Sequence, residues 1–328
     1  MQILSFLLKK LTYLVILLFV VALITFLLVS LSPIDPIRAY IGADMLQVSP
    51  EQKEQIEIYW GLKESKPEQF ISWITSLLKA DFGTSLIYRA PVSEVIADKF
   101  FASLLLMGIA WILSLVGGIV LGSIAGMRQN GLLDRIIQLY SYVLVSTPGF
   151  WFGLLLLMIF AVGLGIFPIG LASPIGMLEG NVSFLDRLYH VILPALTLSI
   201  LGTANIALHT REKLIEILKS PFILQAKAQG LKGFSLYKRH AFRHTILPAI
   251  SLHFASFGEL FGGAILAEQV FSYPGLGQAV VDAGLGGDVP LLLGIVIISA
   301  GFVFVGNFLA DVLYKIIDPR FRKGLMKL

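Results

Sequence analysis

No Asp, Glu, Lys or Arg occurs from residue 136 to residue 178, and this uncharged run constrains the fold more than any other feature of the chain. A helix crosses a bilayer in ~20 mostly apolar residues. The run is too long for one helix, so 138–162 reads as a crossing and the remainder, carrying Gly165, Pro168, Gly170, Pro174 and Gly176, reads as loop. Further runs fit crossings at 11–31, 102–126, 191–208, 246–270 and 290–316. A chain that is 56% hydrophobic and 14% charged over 328 residues is not an ordinary soluble domain. The expected fold class is an all-α membrane protein with six transmembrane helices.

Lys9 and Lys10 precede the first run as they would in a signal peptide. The run is too long for one and no small-residue cleavage site follows, so it reads as an uncleaved anchor. Lys and Arg collect in short loops on the cytoplasmic side of membranes. Placing both termini there gathers Lys9, Lys10, Arg128, Arg135, eight basic residues from 211 to 243, and Lys315, Arg320, Arg322, Lys323 and Lys327 on one side. The two short loops opposite hold only Arg187, and the rest fall in the long loop 33–100, where acidic residues outnumber them. The chain then divides into an anchor (1–32), an extracytoplasmic loop (33–100) and a five-helix core (101–328) with a cytoplasmic loop at 211–245. Cysteine is absent, so neither a disulfide nor a thiolate metal site is available.

The cytoplasmic loop has internal order. Ser220 followed by Pro221 is a helix start, with Ser as N-cap and Pro at the first position. That helix runs from Phe222 to Gln229 and closes at Gly230, a residue suited to left-handed backbone. A second short helix fits 235–244, and Pro248 falls in the first turns of the next apolar run. Small Ala226 and Ala228 are expected to leave one side of the first helix open to another surface. The plainer alternative is a solvated basic loop held near lipid headgroups by charge.

The segment QAKAQGLKGFSLYKRHAFRHTILP resembles the cytoplasmic EAA loop of ABC importer permeases, in the variant of peptide and nickel importers. Ala226, Ala228, Gly230, Arg239, His240, Leu247 and Pro248 carry the match. Ser220-Pro221-Phe222 stands where that family usually has an Asp-Tyr pair, and His244 replaces a common Asn. Further pieces extend the likeness over nearly the whole chain: SPIDP at 32–36, DFGTS at 81–85, PV at 91–92, STPGFWFGLLL from Ser146, LGIFPIG from Leu164, LPALTL from Leu193, EQVFSYPGLGQ at 268–278, DVP at 288–290 and NFLADVLYKIIDPRFR at 307–322.

The resemblance implies a type I ABC importer permease in a bacterial or archaeal plasma membrane, paired with a sibling permease. Its further partners would be two ATP-binding subunits and an extracytoplasmic solute-binding protein. The ATPases would engage Phe222, Ala226, Ala228, Gly230, Arg239 and His240. The chain has no Gly-x-x-x-x-Gly-Lys-Ser/Thr sequence, so no cofactor is expected on it, and ATP and Mg belong to the partner subunits. No catalytic residue, metal site or nucleic-acid partner is expected. The substrate class implied is peptides or nickel and metal chelates, with GELFGG at 258–263 looking closer to the nickel members.

Charges inside spans default to functional candidates. Glu259 lies mid-span, one turn before Gly262 and Gly263, and is the candidate for the translocation path, against an interhelical hydrogen-bonded carboxylate. His253 is six residues away and so on a different side. Glu268 at the outer end of its span is read as reaching the interface, and Asp311 with Lys315 as a local i,i+4 pair. In the long loop, Phe70, Trp73, Ile74, Leu77 and Leu78 recur at helical spacing, which predicts an amphipathic helix lying on the outer membrane surface; the loop serves either as a docking ledge for the binding protein that the resemblance implies or as a cap resting on the membrane. The rival function is an ion-coupled secondary transporter, which would show inverted repeats and broken central helices.

Overall fold

The computed structural model describes residues 2–31, 49, 51, 54, 55, 58, 63–177 and 182–317. The SPIDP piece at 32–36, the ending 318–322 and the Lys315 side chain, with its proposed pairing to Asp311, lie outside the described residues. Every regular element described is helical. In order they are α1 (Gln2–Leu31), α2 (Lys66–Leu78), α3 (Val92–Met127), α4 (Leu132–Val145), α5 (Gly149–Gly163), α6 (Phe184–Leu218), α7 (Pro221–Ala228), α8 (Gly233–Ala255), α9 (Phe257–Val270), α10 (Leu276–Gly286) and α11 (Val289–Ile317). Among the described residues, α1, α3, α6 and α11 are each long and apolar enough to cross a membrane, and two bent pairs raise the number of spans to as many as six.

The bends correct two of the expected crossings. The third span is not one rod over 138–162: α4 and α5 meet at 108°. Pro148 causes the break, because its ring disfavours helical backbone at Thr147 and it stands as an extended N-cap of α5. The fifth span is bent by 55° between α8 and α9, at Ser256, which ends one helix and begins the other. A Ser close to Gly258 is a usual place for such a kink. Downstream of the first bend, residues 164–177 form the expected loop.

The chain separates into two compact units, residues 1–103 with 274–304, and residues 104–273 with 305–328. In the first unit, Val92, Val95, Ile96, Leu276, Ala279, Ala283, Leu291 and Ile295 form a buried core. Asp288 organises its edge. The carboxylate caps α11 by accepting from Leu291 N at 3.1 Å, and its other oxygen accepts from Ser85 Oγ at 2.6 Å and Ile87 N at 3.0 Å. The separated pieces DFGTS and DVP are thus two halves of one hydrogen-bonded corner.

The amphipathic helix exists as α2, started by a capping box between Ser65 and Glu68. Those bonds hold the Glu68 carboxyl below the usual carboxylate range. Its apolar face does not simply rest on lipid. Phe70 packs on α1, with ring centroids 5.1 Å from Phe26 and 6.3 Å from Phe19, because the aromatic stripe finds protein before it finds headgroups.

In the second unit α6 is the central post and the most buried of the long helices. α3 lies against it along Gly118, Gly122 and Gly126. A Cβ at Gly118 would stand 2.4 Å from Ile206 Cβ, and one at Gly122 2.5 Å from the Ala207 carbonyl oxygen. Glycine every fourth residue lets two backbones approach without the hydrophobic drive that water would supply.

Candidate functional site

α6 hands the chain to α7 through Lys219 and Ser220. Ser220 is extended, with φ −68° and ψ 151°, and Pro221 opens the helix as expected. The cap itself differs. The Ser220 hydroxyl donates back to Ile217 O at 2.6 Å and makes no side-chain bond to the first turn of α7, so it tethers α7 to the end of α6. At the other end Gly230 has φ +91°, where any side chain would be strained. Its N–H reaches Lys227 O at 2.9 Å, and Leu231 N reaches Ala226 O at 3.2 Å.

α7 sits on a small core of its own. Ile223 and Ala226 face Leu214 and Ile217 of α6 and Leu236, Tyr237 and Ala241 of α8. Lys227 Nζ donates to Leu218 O at 3.3 Å, and the Tyr237 hydroxyl hydrogen-bonds Ser123 of α3 at 2.7 Å. Ile223 is 0% exposed, and full burial of such a side chain contributes about 1.5–3 kcal/mol. The helix is therefore held as one body with the ends of α3, α6 and α8.

The buried position of Ala226 overturns one expectation. Its small size predicts an open face for a partner, but it is 3% exposed and packs inward. Ala228 does lie exposed. The surface actually offered outward consists of Phe222, Leu224 and Phe234, 42%, 54% and 66% exposed, among the exposed Lys227, Gln229, Lys238, Arg239 and Arg243. His240 is half-buried, and the Phe222 ring lies 5.1 Å from that of His244. The second short helix expected at 235–244 is not separate. It is the start of α8, which runs from Gly233 through a wider π turn at Tyr237–Ala241 and carries Pro248 inside it.

Asp134 was not singled out from the sequence, yet it anchors this end of the molecule. Its carboxylate accepts from Arg211 Nη2 and the Asn130 backbone N–H, both at 2.8 Å, from Gln138 Nε2 at 3.0 Å, and from Arg211 Nε. A charged residue that opens a span four residues after an Asn-Gly turn was the available signal.

The titratable residues of the spans separate by environment. Glu259 is exposed in the first turn of α9. His253 is buried, stacks on Trp111 at 4.5 Å, and donates from Nε2 to the Trp111 carbonyl at 3.0 Å, which fixes its tautomer. His253 and Glu259 are not on two sides of one helix, as their spacing implied: the bend at Ser256 puts His253 on α8 and Glu259 on α9. Glu268 does not reach the interface: it is 1% exposed, next to Tyr273. Burial, with the Glu268 charge beside it, pushes the Tyr273 hydroxyl up to about 12.

Sequence comparison with known proteins gives the family. Residues 118–323 match the family described as binding-protein-dependent transport system inner membrane component, and residues 3–107 match its N-terminal membrane component. The oligopeptide transport system permease protein AppB of Bacillus subtilis is 33% identical over 301 residues, covering 92% of this chain and 93% of that one. A putative peptide transport system permease protein of Brucella abortus is 32% identical over 323 residues, covering 97% and 99%. The di/tripeptide transport system permease protein DppB of Pseudomonas aeruginosa is 31% identical over 334 residues, again covering 97% and 99%. Broken spans are a feature the secondary-transporter reading also called for, so the bends alone do not separate the two classes; the match over both segments does. This chain belongs to the inner-membrane permease family of binding-protein-dependent transport systems, and is a multi-pass permease subunit of such an importer.

Proposed function

We propose that the chain is one half of the membrane pathway of an ATP-driven peptide importer, paired with a sibling permease, with both termini in the cytoplasm. α7 is the docking element for a separate ATP-hydrolysing subunit, and an extracytoplasmic binding protein delivers the substrate. Peptide is preferred to nickel because the relatives compared carry peptide in their names. The single observation that carries the docking role is α7 itself. A two-turn helix is clamped by Ile223 and Ala226 to the ends of three other helices while presenting Phe222 and Leu224 outward. A push on that surface moves α3, α6 and α8 together instead of bending a loop. To drive a switch, the ATPase must contact α7 with different free energies in the two pathway states.

Phe222, Leu224, Ala228, Arg239 and the backbone turn at Gly230 form the contact, Ala226 supports it from beneath, and His240 flanks it. Glu259 faces the translocation path. The test uses the full complex in proteoliposomes. Replacing Phe222 and Leu224 together by Ala leaves assembly of the permease pair intact and removes the stimulation of ATP hydrolysis by loaded binding protein; unchanged stimulation rejects α7 as the docking element.

A further inference from the structure

The second unit has two kinds of exposed helix face. On α3 the large exposed residues Leu104, Ile112, Leu113, Val116 and Val120 form a surface that lipid accepts. From residue 245 of α8 to the end of α9 at Val270 the exposed positions are Leu252, Ala255, Glu259, Gly262, Leu266 and Gln269. On α9, Glu259, Gly262, Leu266 and Gln269 follow at spacings of three and four and make one stripe, carrying a carboxylate, an amide and a residue with no side chain. Glu259 lies 11 residues from the end of α9 at Val270, roughly 16 Å at 1.5 Å per residue, which is about half the hydrocarbon thickness. No side chain among the described residues pairs with it. A charge facing lipid at that depth costs at least about 2.5–3.5 kcal/mol, so the stripe faces water or protein.

α6 supplies the second group. Over residues 190–211 Asn205 alone is exposed. Its height relative to Glu259 follows from the packing. A Cβ on Gly263 would stand 3.3 Å from Leu198, and α6 and α8–α9 run in opposite directions because α7 joins their adjoining ends. From that contact toward α7, Glu259 is four residues away and Asn205 seven, a difference of roughly 4–5 Å in height. Leu198, Leu201 and Asn205 share one side of α6, the side on which α9 packs.

We propose that Glu259 and Asn205 form a station of the transport pathway that takes a protonated amino group of the passing substrate. The proposal rests on the permease reading and adds the chemistry its pathway selects. The carboxylate supplies the charge and the Asn205 amide oxygen a further acceptor for an ammonium group, which donates three hydrogen bonds. Gly262 leaves room on the Glu259 side; a Cβ there would meet nothing within 4 Å. One carboxylate and one amide are too few ligands for a bound metal ion, and among the described residues no three His, Cys, Asp or Glu side chains come together.

The absence of cysteine makes the test direct. Asn205→Cys and Gly262→Cys are introduced singly into the assembled transporter and treated with methanethiosulfonates bearing trimethylammonium or sulfonate. Modification of this chain is followed by mass, and rates are normalised to a free thiol. Both positions label from water, the cationic reagent is preferred by about tenfold, equivalent to about 1.4 kcal/mol, and Glu259→Gln abolishes the preference. Failure of both positions to label, or a preference that survives Glu259→Gln, overturns the station. Binding-protein stimulation of ATP hydrolysis in the unmodified complex is measured in parallel: if it persists while the preference is absent, the station alone is wrong, and if it is absent, the permease reading fails first.

Discussion

Asp134 and Arg211, 77 residues apart, form a two-pronged ion pair that fastens the start of α4 to the end of α6 just before the chain enters α7. The Asp134 side chain is fully buried and that of Arg211 is 16% exposed. Burying a charge is tolerable only when its partners are complete, and here Asn130 and Gln138 supply the remaining donors.

Removing one partner of this pair leaves the other charge buried and unpaired, which typically costs 3–5 kcal/mol. Asp134→Ala therefore lowers the thermal unfolding midpoint of the detergent-purified complex and opens the α7 region to protease. Asp134→Ala with Arg211→Met recovers part of that loss, since an apolar pair carries no stranded charge. A double variant no more stable than Asp134→Ala alone would reject the pairing as the cause.

Ala226 and Leu224 mark the buried and the exposed face of α7, the second being the docking surface proposed above. Ala226→Glu places a carboxylate in the core of Leu214, Ile217 and Tyr237, where desolvation opposes it, so the variant loses folded α7 and with it complex assembly. Leu224→Ala removes an exposed side chain; assembly persists, and the apparent affinity of the ATPase subunit falls by about fivefold or more, the effect of truncating a contact worth at least 1 kcal/mol. Co-purification for the first and titration of ATPase binding for the second distinguish them.

The α7 helix was legible because its start and stop are local: Ser-Pro at one end and a glycine with φ +91° at the other. Which face it buries was not legible, because Ala226 and Ala228 are chemically alike and only the neighbouring helices decide that Ala226 packs. The bends at Pro148 and Ser256 escaped hydropathy for a related reason, since apolar runs count residues and not directions. The link of Asp288 to Ser85 joins residues 203 apart, and no local signal encodes it. The glycine ladder of α3 was the missed exception, visible as three glycines spaced by four.

That ladder gives a steric prediction. Gly122→Ala puts a Cβ 2.5 Å from the Ala207 carbonyl oxygen, a backbone atom with no rotamer to escape into, so α3 and α6 must separate at a cost of about 1–3 kcal/mol. Gly108→Ala, where a Cβ meets nothing within 4 Å, is the control and leaves the unfolding midpoint unchanged or raised. Equal midpoints for the two variants would remove the ladder from the packing account.

Tyr273 predicts a pH dependence in the alkaline range. Its folded value, about 12, lies above the ordinary value of 10, so the unfolded chain releases the proton first as pH rises. The stabilisation is fully present below pH 10 and is lost as pH climbs from 10 through 12, because over that interval the folded state binds more protons than the unfolded state. Tyr273→Phe cannot ionise and so escapes this loss: its unfolding midpoint falls less between pH 9.5 and 11.5 than that of the parent, while binding-protein-dependent uptake at pH 7 stays the same. Parallel midpoint curves for parent and variant across that range would show that Tyr273 keeps an ordinary value beside Glu268.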